Sequence, residues 1–227
     1  MSAFVWIQTR DGSPTLWHNE LGESFRSVKG AFTESWTVFI EPALKDLERG
    51  SSQNSIEVGE FGLGAGTNWA LWTLACRVRK ISFHYTAIER DLASFELGRA
   101  KWIEMAPQLS FFLKERGFEL SEEHVRETLT PAPSPAVMPT LAALTARGAQ
   151  FRIWFHDPFG YEVNPDGYTA PTLELCARLW APQFWGGSYA CNRRFRETLE
   201  GLSRGLKVEV ASTGDSGLKR ERIEFSS

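Results

Sequence analysis

From Ile56 onward the chain alternates short apolar runs with longer amphipathic ones, and that alternation constrains the fold more than any other feature. "IEVGEFG" reads as a strand ending in glycine, "TNWALWTLACRVRK" as a helix and "ISFHYTAIER" as a second strand. "LASFELGRAKWIEM" and the segment beyond it read as helix. "FRIWFHDPF" is apolar without clean alternation, as expected of a strand buried on both faces. "TAPTLELCARLWAP" is then a helix, "GGSYACN" a strand, "RRFRETLEGLSRG" a helix, and "LKVEVAS" and "GLKRERIEF" the last two strands. Strands spaced by helices predict a mostly parallel sheet covered on both sides. The final pair is joined by "TGDSG", too short for a parallel crossover, so it forms an antiparallel hairpin.

Before this alternation, "FVWIQTRDGSPTLWHN" predicts a hairpin around the turn cluster "RDGSP". "GAFTESWTVFIEPALKDL" has apolar residues at helical spacing. The proline-rich "LTPAPSPAVMPTLAALTARGAQ" starts as an exposed loop and ends as a helix. The expected organisation is one α/β domain over 1–227: an extension over 1–50, then a Rossmann-like core over 55–227 with a helical insertion at about 93–150.

Hydrophobic residues make up 42% and charged residues 23%, which excludes a disordered or collagen-like chain. No apolar run approaches the ~20 residues needed to cross a bilayer, so no membrane partner is expected. "MSAFVWIQTRDGS" lacks a basic start and a long apolar core, so no secretory leader is expected. Cys76, Cys176 and Cys191 are odd in number and far apart, which argues for a reducing, cytoplasmic setting. They lack metal-site spacing and His18, His84, His124 and His156 are scattered, so no metal is expected. The net charge of −3 disfavours a protein that holds a long duplex but permits contact with a small part of a folded RNA. Trp69, Trp72, Trp154 and Trp180 fall on apolar faces and read as core.

Gly62, Gly64 and Gly66 sit between a strand and a helix, where a ligand can lie against bare backbone. The dinucleotide fingerprint would place its third glycine at Thr67, and no phosphate-loop lysine follows. A ligand without a phosphate fits the G-x-G-x-G spacing better, and S-adenosylmethionine is one. Glu89 ends the second strand and can accept both hydroxyls of a ribose. It does not choose between NAD and S-adenosylmethionine, whereas the terminal antiparallel hairpin favours the second. Asp157 lies where the apolar strand leaves the sheet, at the edge where open α/β folds bind ligands. Read as a sequence alone, it is either a site carboxylate or the cap of a turn. The basic residues Arg193, Arg194, Arg196, Arg204, Lys207, Lys219, Arg220 and Arg222 are interleaved with acidic ones, as on a solvated face or a phosphate-contacting patch.

The blocks "DGSPTLWHNELGESFRSVKGAFTESWTVFI", "EFGLGAGTNW" and "DPFGYEVNP", with the basic ending "LKRERIEF", resemble the MnmC/MnmD-type methyltransferases over most of the chain except roughly Ala93 to Gln150. The resemblance implies a class I methyltransferase that uses S-adenosylmethionine to methylate the aminomethyl group on the wobble uridine of certain bacterial tRNAs. It implies the stand-alone form, without the flavin oxidase fused to it in some bacteria. It places Glu60, Gly62, Gly64, Gly66 and Asn68 on the cofactor motif, Glu89 on the ribose and Asp157 near the transferred methyl, as catalytic residue and cofactor contact. Phe159, Tyr161, Asn164 and Tyr168 become candidates for the flipped base, and Lys219 and Arg220 for the RNA backbone. The chain departs from the family pattern at Phe25, Arg26 and Ser27, where a Tyr-His-Ser is common, and at Val163, where a basic residue is usual. It also lacks a placeable acidic residue for the adenine after the third strand. Methylation of another amine, or nucleoside binding without turnover, are the alternative readings.

Overall fold

The computed structural model describes residues 3–50, 55–202, 205–214 and 221–227. The chain opens with a small antiparallel sheet: β1 (Phe4–Gln8), β2 (Pro14–His18) and β3 (Glu23–Ser24). The expected hairpin is therefore present, and a third short strand extends it. Helix α1 (Ala31–Ser35) runs through a π-helical turn, Trp36–Ile40, into α2 (Glu41–Arg49). Pro42, just past that turn, lacks the N–H that a regular α-helix needs there.

The Asp-Gly-Ser turn has a structural task. Ser13 Oγ accepts from Ala31 N at 2.9 Å and Phe32 N at 3.1 Å, and Asp11 Oδ2 accepts from Thr33 N at 3.2 Å. The turn of one element thus caps a helix elsewhere in the sequence, satisfying N–H groups that the helix itself cannot. Ser13→Ala leaves two buried N–H groups unpaired. It is expected to cost about 1–3 kcal/mol and to lower the melting temperature by roughly 2–4 °C per kcal/mol in a chain this size. A melting curve unchanged by the substitution would remove this role.

The core begins with β4 (Ile56–Phe61), α3 (Thr67–Arg79), β5 (Phe83–Ile88) and α4 (Leu92–Glu104). Helices α5 (Ala106–Lys114) and α6 (Glu122–Leu129), strand β6 (Ala136–Met138) and helix α7 (Leu141–Thr145) follow. Then come β7 (Phe151–His156), a 3₁₀ turn at Pro165–Tyr168, α8 (Ala170–Ala177) and β8 (Trp180–Ser188). Helix α9 (Arg193–Glu200) and strands β9 (Lys207–Ser212) and β10 (Glu221–Ser226) end the chain. The segment expected to be a helical insertion therefore also carries a sheet strand, β6, which pairs in parallel with β5. The strand read at "GGSYACN" starts earlier, at Trp180, so "LWAP" is partly strand rather than helix.

The large sheet runs β6-β5-β4-β7-β8-β10-β9. Its first five strands are parallel, and β10 is antiparallel to both β8 and β9. The mostly parallel α/β sheet with a terminal hairpin is as expected. Trp69, Trp72, Trp154 and Trp180 are buried, as are the apolar residues of β7 on both faces. Among the described residues no helix is long and apolar enough to cross a membrane.

The chain leaves β4 toward β5 on one side, and later returns to pair β7 on the other. That is the topological switch point at which doubly wound sheets bind ligands. Register makes it specific. Phe61 lies opposite Ile88 on one neighbour and His156 on the other. The next residues, Gly62, Glu89 and Asp157, therefore leave the sheet side by side.

Candidate active site

A cavity of about 660 Å³ opens at this carboxyl edge. Its walls include the glycine loop, Glu89 to Asp91, Pro139 to Leu141, Asp157 to Phe159, Asn164, and the small N-terminal sheet through Phe4, His18 and Phe25. The size falls within the range of small-molecule sites.

Gly62 and Gly64 have φ of +92° and +52°, and a side chain at Gly62 would meet the backbone of Asp157 at 2.6 Å. Glycine here lets the loop lie directly on the Asp157 segment, where Asp157 N also donates to Phe61 O at 2.9 Å. Gly66 starts α3 without a side chain to cap it, so first-turn N–H groups are available to a ligand. Glu89 accepts from Gly64 N at 3.0 Å, Arg90 N at 2.8 Å and Asp91 N at 3.0 Å. These bonds orient the carboxylate at the cavity wall, and its remaining lone pairs can accept hydroxyl groups.

Behind the wall at Asp157 lies a buried polar cluster. Arg26 is ion-paired with Asp157 Oδ2, with 6% and 9% of each residue exposed. Asn68 Nδ2 donates to Asp157 Oδ2 at 2.9 Å and to Glu60 Oε1 at 2.7 Å. Tyr85 Oη donates to Glu60 Oε2 at 2.9 Å. Burial raises the pKa of Glu60, and the neighbouring Asp157 charge adds to that rise. Burial also raises Asp157, to about 7, against the pull of Arg26, which lowers it by charge and by hydrogen bonding. His156, beside it, is held neutral by burial, its pKa lowered to about 3, and its Nε2 lies 3.0 Å from Gly167 O.

The candidates from the sequence divide between wall and interior. Gly62, Gly64, Glu89, Asp157, Phe159 and Asn164 line the cavity. Glu60 and Asn68 are fully buried and reach it through Asp157. Tyr168 is a core residue rather than a base platform. It is 1% exposed, packs on His156 and Phe195, and donates to the carbonyls of Pro158 and Phe159 at 3.2 Å. The Tyr161 ring is covered by Arg194, which also hydrogen-bonds its hydroxyl. Lys219 and Arg220 lie outside the described residues.

Sequence reasoning missed Arg26, Tyr85 and Tyr189. Arg26 registered as a departure from a pattern, and its partner is distant in the chain. Tyr189 follows β8 at the same sheet edge, lines the cavity and donates to Pro158 O at 2.7 Å. Where an acidic residue for an adenine was sought, Pro139, Thr140 and Leu141 line the wall after β6. Among the described residues no group of His, Cys, Asp and Glu could hold a metal ion.

A doubly wound sheet with this strand order, a glycine loop at its switch point and an acidic residue after the second core strand is the arrangement of class I methyltransferases. Residues 113–226 match a family model described as S-adenosyl-L-methionine-dependent methyltransferase, and the chain belongs to that family. The chain is 26% identical over 208 residues to the tRNA 5-methylaminomethyl-2-thiouridine biosynthesis bifunctional protein MnmC of Pseudomonas savastanoi pv. phaseolicola. That match covers 84% of this chain and 30% of the relative, so the chain spans under a third of that protein. Its fold is similar to MnmC2 from Aquifex aeolicus, with a TM-score of 0.70 and 24% identity over 100% of this chain and 71% of that one. A spermidine synthase from Thermotoga maritima shares the fold at a TM-score of 0.53 and 12% identity, over 98% of this chain and 72% of the other. The cofactor is S-adenosylmethionine. The residues suit it: Glu89 and Asp157 follow the two strands that flank β4, and the bare backbone of Gly62 lies between them.

Proposed function

We propose that the protein transfers a methyl group from S-adenosylmethionine to the aminomethyl group of a tRNA wobble uridine. The observation that carries this reading is the placement of Asp157. It is a carboxylate at the cavity wall, next to the glycine loop, and it joins the buried cluster of Arg26, Asn68 and Glu60 to a cavity that Phe25 and Phe159 also line. The likeness to MnmC, a tRNA 5-methylaminomethyl-2-thiouridine biosynthesis bifunctional protein, supports the choice of acceptor.

When bound, the cofactor supplies an electrophilic methyl on a sulfonium. In this reading the protein's work is alignment. Glu89 and the glycine loop would hold the nucleoside and amino acid ends, so that the chain fixes the cofactor relative to the acceptor. Asp157 accepts a hydrogen bond from the acceptor amine and so orients its lone pair. It then takes up the proton that the nitrogen must lose, directly or through water. Phe159, near Phe25 at a ring distance of 4.8 Å, offers a flat apolar surface to a base turned out of its stack. A cytoplasmic place of action is part of the same proposal.

The test is mass spectrometry of wobble nucleosides in tRNA from cells with and without the protein. Purified protein is then added to tRNA from the deficient cells with labelled cofactor. The expected result is an unmethylated aminomethyl nucleoside in the deficient cells that gains one methyl group in vitro. Unaltered nucleosides and no label in tRNA would overturn the acceptor and leave methylation of another amine.

A further inference from the structure

The N-terminal extension delivers a cation into the site. Arg26 N donates to Thr15 Oγ1 at 3.0 Å, Phe25 N to Leu16 O at 2.9 Å and Ser27 N to Glu34 Oε2 at 2.9 Å. Backbone and helix thus hold the residue on both sides. Its side chain crosses above the Phe39 ring, 5.6 Å from the centroid, and ends on Asp157 at the tip of β7. The guanidinium is 4.0 Å from the nearer Glu60 oxygen, so of the two carboxylates it is closely paired with Asp157.

We propose that Arg26 is a positioning residue for methyl transfer: it favours the anionic form of the Asp157 carboxylate and fixes its direction at the cavity wall, so that the acceptor amine meets an anion. This rests on the reading of the site given above. The physical case is a competition. Removal from water favours the protonated acid, and the charge of Glu34 favours it further. A protonated Asp157 could take no proton from the acceptor. A guanidinium does not deprotonate in proteins, so it is the group suited to oppose both effects. The paired geometry also fixes one oxygen of Asp157 and leaves the other for the cavity.

The groups around Asp157 are Arg26 from the extension, Asn68 from α3, Glu60 from β4, Tyr85 from β5 and Glu34 from α1. Tyr168, Tyr189 and Glu23 lie further out. Glu34 opposes ionisation of Asp157, Arg26 favours it and Asn68 donates to it, and the Asp157 charge in turn raises Glu60. Loss of the Arg26 charge therefore moves the ionisation of Asp157 to higher pH. Turnover that needs the anion should rise with pH along a limb displaced in the same direction.

The experiment compares wild type, Arg26→Gln and Arg26→Lys. Turnover is followed against pH, and a ¹³C-carboxyl NMR titration of Asp157 is run without acceptor. With Arg26→Gln, the acid limb and the NMR midpoint are expected to rise by roughly 1–3 pH units, the range for loss of an adjacent opposite charge. Arg26→Lys should restore much of the wild-type midpoint. The acceptor's own ionisation adds a limb common to all three proteins. Unchanged midpoints, with a turnover profile merely scaled down, would overturn the proposal and leave Arg26 as a structural residue. If the Gln variant does not fold, the wild-type protein decides alone. Asp157 is expected to ionise at lower pH than Glu60, and the reverse order overturns the proposal. The titration needs no acceptor, so it stays informative even if the tRNA reading fails.

Discussion

Asp157→Ala is expected to lower methyl transfer per folded molecule by roughly 10²–10⁴-fold, the range for a positioned acid–base group. Cofactor affinity should change far less, since in this reading Glu89 and the glycine backbone, which line the cavity with Asp157, carry most of the cofactor binding. Stability should fall as well, because the substitution leaves the buried Arg26 guanidinium without its partner. Breaking a buried ion pair from one side costs about 3–5 kcal/mol, a large part of the ~5–15 kcal/mol that holds a domain folded. Asp157→Asn separates the two effects. It keeps the shape and an acceptor for the guanidinium, but it cannot take up a proton. Single-turnover methylation, calorimetry with S-adenosylhomocysteine and a melting curve on both variants distinguish them. Near-wild-type transfer by Asp157→Asn would show that proton uptake by Asp157 has no part in the chemistry.

What could be read from the sequence was whatever depended on neighbours in the chain. The strand, glycine turn and helix from Ile56 to Arg79 are contiguous, and periodicity marks them. Glu89 and Asp157 were placed because each ends an apolar strand, and strand register sets them side by side. The three-residue strand β6 was hidden, since three residues carry no period and the prolines before it read as loop. The start of β8 was hidden for a different reason. "LWAP" continues the apolar spacing of α8, while its pairing with β7 shows irregular register between Phe151 and Ile153. Tyr168 differs in direction: the 3₁₀ turn at Pro165–Tyr168 ends with its ring packed on His156. Arg26 was beyond local reading because its partner comes from the other end of the fold. The N-terminal block was recognisable as a pattern before its cause was visible. The cause is the pair of caps that Asp11 and Ser13 place on α1, which also set the position of the Phe25–Ser27 segment.

Gly98→Ala is expected to weaken both the fold and cofactor binding, against what helix propensity alone predicts. Gly98 lies inside α4, where alanine is favoured over glycine by about 0.8–1.0 kcal/mol. Packing opposes it. A Cβ at Gly98 would sit 1.9 Å from the carbonyl oxygen of Ala65 in the glycine loop. The obstacle is backbone, so no side-chain rotation relieves it. One turn on, the Trp102 indole donates to the same Ala65 oxygen at 2.8 Å, and Trp102 is fully buried. Helix α4 therefore holds the loop by one close approach and one hydrogen bond on the same face. An added methyl must push the helix away and stretch that bond, or push the loop into the cavity. Overpacking of this kind costs about 1–3 kcal/mol, enough to outweigh the gain in propensity. If the loop is what yields, about 1.4 kcal/mol of misplacement weakens the cofactor tenfold. Calorimetry with S-adenosylhomocysteine beside a melting curve reads both terms. A Gly98→Ala protein that melts higher than wild type and binds the ligand equally well would mean that propensity wins and that α4 does not hold the loop.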